Sequence, residues 1–388
     1  MSSDGILRIK TKSLFDGATT QTNVVMHIND GVVSAMEKNG SHFDVELEGL
    51  CVPGFVDVQV NGGGGVLFND APTVASIAAI TSAHARYGTT GMLPTIITDD
   101  ILKMEVAADA VAQALRRRIP GVLGIHFEGP HIAQAKKGAH SAQFIRSLSS
   151  AELDIFTRKD IGRVVVTLAP ECVSEADIKR LTDAGVIVSL GHTNASFDCA
   201  QRAFEAGATG ITHLFNAMSA LTSREPGVTG AALLSDKTLC GLILDGHHVS
   251  AKTCQLALRA KPAGGIFLVT DAMPPVGSSV DRFEFFDREV YLVDGELRST
   301  TGELAGSALN MVGAVKNCIH LLDLSLEEAI RMASLYPLMF LAGKSQLPIK
   351  PEPLITVGAP ASFVQLTANR DVASTWIDGH QIYAANAR

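Results

Sequence analysis

Two rhythms of apolar and polar positions divide the chain. Over residues 5–50 the two kinds alternate, in ILRIKTKSLFDG, NVVMHINDG and VVSAMEKNG, with Asp-Gly pairs at the turns. Period-two alternation broken by Asp-Gly predicts antiparallel strands and hairpins, and no helix. With CVPGFVDVQV (51–60) the pattern changes to a near-continuous apolar run, as in a strand buried on both faces. Apolar runs then alternate with amphipathic stretches. Strands are predicted at 54–58, 91–96, 122–127, 163–168, 186–190, 210–213, 240–244 and 265–270. Helices are predicted near 72–87, 102–118, 150–159, 174–184, 195–206, 227–235 and 250–260. Eight such repeats predict an α/β fold, a (β/α)8 TIM-like barrel, with further helices near 307–320 and 325–342 closing its outer ring. FEFFDREVYLVDGELRST (283–300) breaks the rhythm as a hairpin inserted after strand eight. From about 346 the chain returns to strand patterning. An isolated hairpin at either end is marginal alone, so the two ends are expected to meet in one small β-sandwich domain. The expected division is 1–53 and 346–388 for the sandwich and 54–345 for the barrel.

Composition narrows the class. The 388 residues are 46% hydrophobic and 19% charged, which suits a soluble globular enzyme with a large core. The net charge of −8 argues against nucleic acid or an anionic membrane as partner. No apolar run is long enough to span a membrane, and the start, MSSDGILRIK, lacks the apolar stretch of a secretory signal. The six cysteines are scattered with no CxxC, so they read as reduced residues of a cytoplasmic protein; Cys172 and Cys199, near strand ends, read as core packing rather than nucleophiles.

Active sites of such barrels lie at the C-terminal ends of the strands. Reading those ends in order gives Gln59 and Asn61, Thr95, Glu128, Glu171, His192, His213, then Asp245 with His247 and His248, and finally Asp271. The stretch HFEGPH (126–131) is central: it ends an apolar strand with Glu128, a poor place for a carboxylate unless a cation compensates it. A single Glu could cap a helix or pair with a Lys, and a lone His is more often structural. A Glu, two His and an Asp at matching ends are hard to call accidental, and the Glu with two neutral imidazoles makes a three-ligand set with room for a water, as catalytic zinc requires. By spacing alone Asp271 is either a further ligand or a base, and His248 could hold the oxygen of a polarised carbonyl. NGGGGV (61–66) lacks the P-loop form and reads as a close backbone approach rather than a phosphate cradle. Lys136 and Lys137 read as a solvated loop.

The motifs PGFVDVQVNGGGG, HFEGPH, KKGAH, LGHTNA, THLFNAM, REPG, DGHHV, VTDAM and LAGS, in this order, resemble the amidohydrolase superfamily, and within it the N-acetylglucosamine-6-phosphate deacetylase family, over nearly the whole chain. The resemblance implies the same barrel and sandwich. It implies one divalent metal per subunit, zinc before Fe2+, Co2+ or Mn2+, held by Glu128, His192 and His213, with Asp271 as catalytic base and His248 at the substrate carbonyl. It further implies that His140, Asn216, Ala217 and Arg224 bind a small sugar phosphate, with Leu304 near the acetyl group. Arg224 would reach into a neighbouring subunit's site, in a homodimer or a dimer of dimers. The implied reaction is hydrolysis of the N-acetyl group, in amino-sugar catabolism; a mononuclear amidohydrolase acting on another N-acyl sugar or a cyclic amide is the alternative. Many superfamily members carry His-x-His after strand one and a Lys after strand four. Here strand one ends Gln59-Val60-Asn61 and strand four ends TLAPE, so one tight metal is expected rather than two.

Overall fold

The computed structural model describes residues 5–286, 288–300 and 302–385. Strands β1 (Leu7–Phe15), β2 (Thr20–Asn29), β3 (Val32–Lys38) and β4 (Val45–Pro53) open the chain. The barrel follows as β5 (Phe55–Val60), β6 (Thr89–Ile97), β7 (Gly124–Glu128), β8 (Arg163–Leu168), β9 (Ile187–Leu190), β10 (Gly210–Ile211), β11 (Leu239–Ile243) and β12 (Ile266–Val269). These eight pair in sequence order as one sheet, parallel throughout. Every residue of β5, β6 and β7 is buried. That is why their sequences read as largely apolar runs with few polar positions: helices cover the outer face and side chains fill the interior.

The helices start where short polar side chains can cap them. Ser174, Ser196, Ser250 and Ser325 each accept a backbone N–H from the first turn. Ser149 and Glu152 form a reciprocal capping box. Each such cap stabilises by about 1 kcal/mol. The helix predicted over 325–342 is two, Leu326–Ala333 and Leu335–Leu341. Pro337 has no N–H to donate back to Ala333, and the chain turns at Ser334 (φ −134°, ψ −70°).

The insertion is a three-stranded antiparallel sheet, β13 (Arg282–Phe285), β14 (Arg288–Val293) and β15 (Glu296–Ser299), one strand more than the expected hairpin. Phe285, Val290 and Leu297 pack with Leu67, Ile97 and Met273 over the barrel mouth. The tail adds β16 (Phe363–Leu366), β17 (Val372–Ile377) and β18 (His380–Ala384). Both chain ends then lie in one seven-stranded sheet, in the order β18-β17-β16-β4-β1-β2-β3, which fits the small sandwich domain. The purely antiparallel expectation for the first strands needs one correction. β4 returns beside β1 in parallel register (Ile9 opposite Val45), on the edge that β2 leaves free. Phe363 stacks on Trp376 in this domain's own core. No described helix is long and apolar enough to cross a membrane.

Candidate functional site

Glu128 ends β7, and His192, His213 and Asp271 lie just beyond β9, β10 and β12. The last three have positive φ, 47°, 31° and 53°. Left-handed backbone at non-glycine residues costs about 1–3 kcal/mol each and persists only where neighbours hold it. Ala133 N–H donates to the His192 carbonyl (2.8 Å), Asn216 N–H to that of His213 (2.9 Å) and Ser307 N–H to that of Asp271 (2.9 Å). Leaving the strand through this conformation turns each side chain inward, over the barrel axis.

There the donor atoms converge. Glu128 Oε1 lies 3.0 Å from His213 Nε2 and 3.3 Å from His192 Nε2, and the two imidazole nitrogens are 3.1 Å apart. His192 Nδ1 donates to the Lys136 carbonyl (2.9 Å), so in the neutral ring its Nε2 carries a lone pair. Lone pairs facing one another at this range repel unless a proton or a cation sits among them. A buried carboxylate with two imidazoles is the zinc-type donor set, so these residues fit a divalent metal. His140 is close by: its offered donor atom lies within 4.8 Å of those of Glu128 and His192. Its Nδ1 bonds Thr98 Oγ1 (2.7 Å), whose own proton goes to the Glu128 carbonyl (3.3 Å). Its Nε2 is therefore also free to accept. The Glu128–His192–His213 set is the tighter of the two, and His140 flanks it, ring against the His192 ring at 4.3 Å.

The electrostatics follow the same grouping. Burial alone would raise the Glu128 carboxyl, but bonds and charge from His192 and His213 outweigh it and hold it well below the usual range. Burial disfavours charge on His213, yet Glu128 raises its pKa overall. Burial, then charge on His192, pushes His140 well down. Burial and the neighbouring charge of Glu128 push Asp271 up to about 6.

Asp271 does not stand alone. Asn61 Nδ2 donates to its Oδ1 (2.6 Å), and Gln59 Nε2 bridges that oxygen (3.2 Å) and Glu128 Oε1 (3.0 Å). The strand-one carboxamides thus face the site as N–H donors, the opposite polarity from metal-binding imidazoles. His248 Nδ1 donates to Asp245 Oδ2 (2.6 Å), which fixes its ring.

Glu128, His192, His213, Asp271, His248 and Asn61 line one cavity of about 540 Å3, within the usual size range for small-molecule sites. His140, Asn216, Ala217 and Leu304 line it too. Of the strand-end residues, Gln59, Thr95, Glu171, Asp245 and His247 do not line it; Gln59 and Asp245 act through Asp271, Glu128 and His248 as above. Thr95 Oγ1 takes the Val60 N–H, Glu171 fastens the loop after His192 through Thr193 and Asn194, and His247 pairs with Glu296 of the insertion. Arg224 is exposed in the turn before Gly227 and does not line the cavity of its own chain. The adjacent Glu225 carboxylate accepts the Phe197 and Gly227 N–H groups instead of pairing with it. Lys136 and Lys137, read from sequence as a solvated loop, line the cavity, and the Lys136 carbonyl orients His192. The glycine run keeps its close-approach reading, since a Cβ on Gly63 would lie 2.8 Å from the His84 ring. Cys172 is exposed, not core.

Residues 50–382 match the amidohydrolase family. The chain belongs to that family. It is 44% identical over 384 residues to N-acetylgalactosamine-6-phosphate deacetylase of Shewanella sp. (strain ANA-3), covering 95% of this chain and 96% of that one. It is 36% identical over 359 residues to N-acetylglucosamine-6-phosphate deacetylase of Homo sapiens, covering 87% and 84%. The crystal structure of N-acetylglucosamine-6-phosphate deacetylase from Pasteurella multocida superposes with a TM-score of 0.91 at 31% identity, over 98% of this chain and all of that one. The fold of that deacetylase and the fold of this chain therefore coincide over nearly the full length.

Proposed function

We propose that this amidohydrolase removes the N-acetyl group of N-acetylglucosamine 6-phosphate, giving glucosamine 6-phosphate and acetate. The observation that carries the reading is the buried Glu128–His192–His213 cradle with Asp271 tied to it through Gln59. Glu128, His192 and His213 are the ligands of one divalent metal, zinc first among Fe2+, Co2+ and Mn2+. Such an ion supplies Lewis-acid polarisation and acidifies a water at neutral pH. Asp271 accepts the proton of the attacking water and delivers it to the amine nitrogen as the C–N bond breaks and the new C–O bond forms. A carboxylate held beside the cradle by the Asn61 and Gln59 amides is placed for both halves of that transfer. His248, held by Asp245, turns its other nitrogen to the acyl oxygen. His140, Asn216 and Ala217 hold the sugar phosphate, and Leu304 packs near the acetyl methyl.

The cavity must bind a dianion in a chain of net charge −8. Recognition is then local, through charge-assisted bonds. Arg224, exposed and with no ion pair among the described residues, supplies one from a second copy, which makes the working unit a homodimer or a dimer of dimers. The setting is cytoplasmic amino-sugar catabolism.

A second reading has its own support: the 44% identical relative is a deacetylase of the C4 epimer, N-acetylgalactosamine 6-phosphate. Acetate release from both phosphorylated epimers and both free sugars separates the readings. Turnover of the gluco compound is the expected result, preference for the galacto compound installs the second reading, and a preference for unphosphorylated sugar overturns both.

A further inference from the structure

The barrel has a weak place in its wall. β12 and β5 are the two ends of the eight-stranded order and share no ladder. They meet just beyond the strand ends through one bridge, Val60 with Ala272, through Asp271 N–H to the Gln59 carbonyl (3.0 Å), and through the N–H groups of Asn61 (3.0 Å) and Gly62 (2.9 Å) to the Ala272 carbonyl. Asp271 and Gln59 sit on opposite sides of this seam. One turn below, the polar link across it is the side chain of Asp57. Its Oδ1 accepts the N–H groups of Gln59 (3.2 Å) and Thr270 (3.3 Å), and its Oδ2 accepts the Thr270 hydroxyl (2.5 Å).

We propose that Asp57 is a positioning residue for Asp271: it clamps Thr270 and Gln59 to each other across the open seam and so fixes the acid–base carboxylate. The inference rests on the role given to Asp271 above. Asp57 is fully buried and does not line the cavity, so it acts only through its neighbours. All its described hydrogen-bond donors are neutral, so no cation offsets its burial, and its carboxyl is pushed up to about 7 by burial, with a smaller contribution from Asp271. An apolar side chain would fill the same interior position without that cost; what it could not do is hold three donors from two strands. Those donors matter because Asp271 has a left-handed backbone (φ 53°). Ser307 braces the far side, its hydroxyl on the Thr270 carbonyl (2.5 Å) and its N–H on that of Asp271. Asp57 and Gln59 brace the near side. Gln59 in turn carries its amide to both Asp271 and Glu128, so the clamp orients two site carboxylates.

The test compares Asp57→Ala, Asp57→Asn, Thr270→Val and Asp271→Asn as metal-loaded proteins on N-acetylglucosamine 6-phosphate. A misplacement near 1 Å transmitted to a reacting group costs up to ~100-fold. Asp57→Ala should lower kcat by ~10- to 100-fold with KM within ~2-fold and metal content unchanged. Asp57→Asn keeps the Oδ1 acceptor for both N–H groups and replaces the Oδ2 acceptor by an N–H donor that the Thr270 hydroxyl accepts on rotating, and should recover kcat to within ~3-fold of wild type. Thr270→Val loses only the hydroxyl bond and should fall between; it carries the test if the alanine variant does not fold. Wild-type kcat in both Asp57→Ala and Thr270→Val, with Asp271→Asn impaired, overturns the positioning role alone. Equal losses in Asp57→Ala and Asp57→Asn also overturn it, because the charge and not the frame would then be at work. An unimpaired Asp271→Asn overturns the acid–base reading itself and this inference with it.

Discussion

Asp57→Asn should make the protein more stable as pH rises, relative to wild type, and the size of the effect follows from the burial of one carboxyl. In the unfolded chain Asp57 titrates near its ordinary value of 3.8; folded, it is pushed up to about 7. Between those values the native state binds the proton and the unfolded state does not. Stability therefore falls with rising pH through this window, the reverse of the usual salt-bridged carboxylate. The full penalty, reached above the folded pKa, is about 4 kcal/mol, at ~1.4 kcal/mol per pH unit of separation. Near pH 5 less than half of it, about 2 kcal/mol, has developed, and near pH 8 nearly all. Asparagine keeps the acceptor for Gln59 and Thr270 and has nothing to titrate. The stability difference between variant and wild type should then move by about 2–3 kcal/mol in the variant's favour from pH 5 to pH 8. Denaturant titrations of both proteins at the two pH values measure it, and the comparison cancels every other titrating group to first order. Parallel pH profiles would show that Asp57 titrates normally and refute the burial argument. A carboxylate held ionised by the three donors would also give parallel profiles, because it titrates below pH 5 in both states, and would equally refute the burial argument.

His192→Ala or His213→Ala should abolish tight metal binding and activity together, because two remaining donors do not hold a divalent ion against water; metal analysis beside an acetate-release assay checks both. Chelation should inactivate wild type and a divalent metal restore it, whereas full activity in metal-free protein would end the metal reading. Asp271→Asn should keep its metal and lose at least ~100-fold in kcat, the low end for a positioned acid–base group; loss of the metal instead would make Asp271 a ligand. Arg224→Ala should lower kcat/KM for the phosphorylated sugar by roughly 10- to 150-fold, the worth of one charge-assisted bond, and leave the free sugar little changed. Equal losses on both sugars would remove Arg224 from phosphate recognition.

Much of this architecture is legible because two physical signals are local. A strand buried on both faces must be apolar throughout, so VVVTL within 163–168 and IFLV within 266–269 announce themselves without any partner. A carboxylate or imidazole closing such a run has few inexpensive explanations, so Glu128, His192, His213 and Asp271 stand out as a set before any distance is known. Family resemblance then adds roles that no spacing supplies, such as those of Asn216 and Leu304.

What stays hidden depends on contacts distant in sequence or on backbone angle. Nothing local predicts that β4 returns parallel to β1, on the edge that β2 leaves free. The left-handed turns at His192, His213 and Asp271 carry no glycine to mark them; they are imposed by bonds from Ala133, Asn216 and Ser307. Asp57 is the instructive case. It stands in FVDVQV as one charge inside a strand whose every residue is buried, and the hydrophobic average passes over it. Its meaning needs the seam, and the seam exists only because a closed barrel must join its first strand to its eighth. In the described sheet that join lacks a ladder, so side chains take over part of the work of hydrogen-bonding the wall. The same join carries Gln59, Asn61 and Asp271. If Asp271 is the acid–base residue proposed above, a barrel that closes through a polar clamp beside it ties the geometry of catalysis to the closure of the fold, and the lone buried charge in its first strand is the sequence trace of that tie.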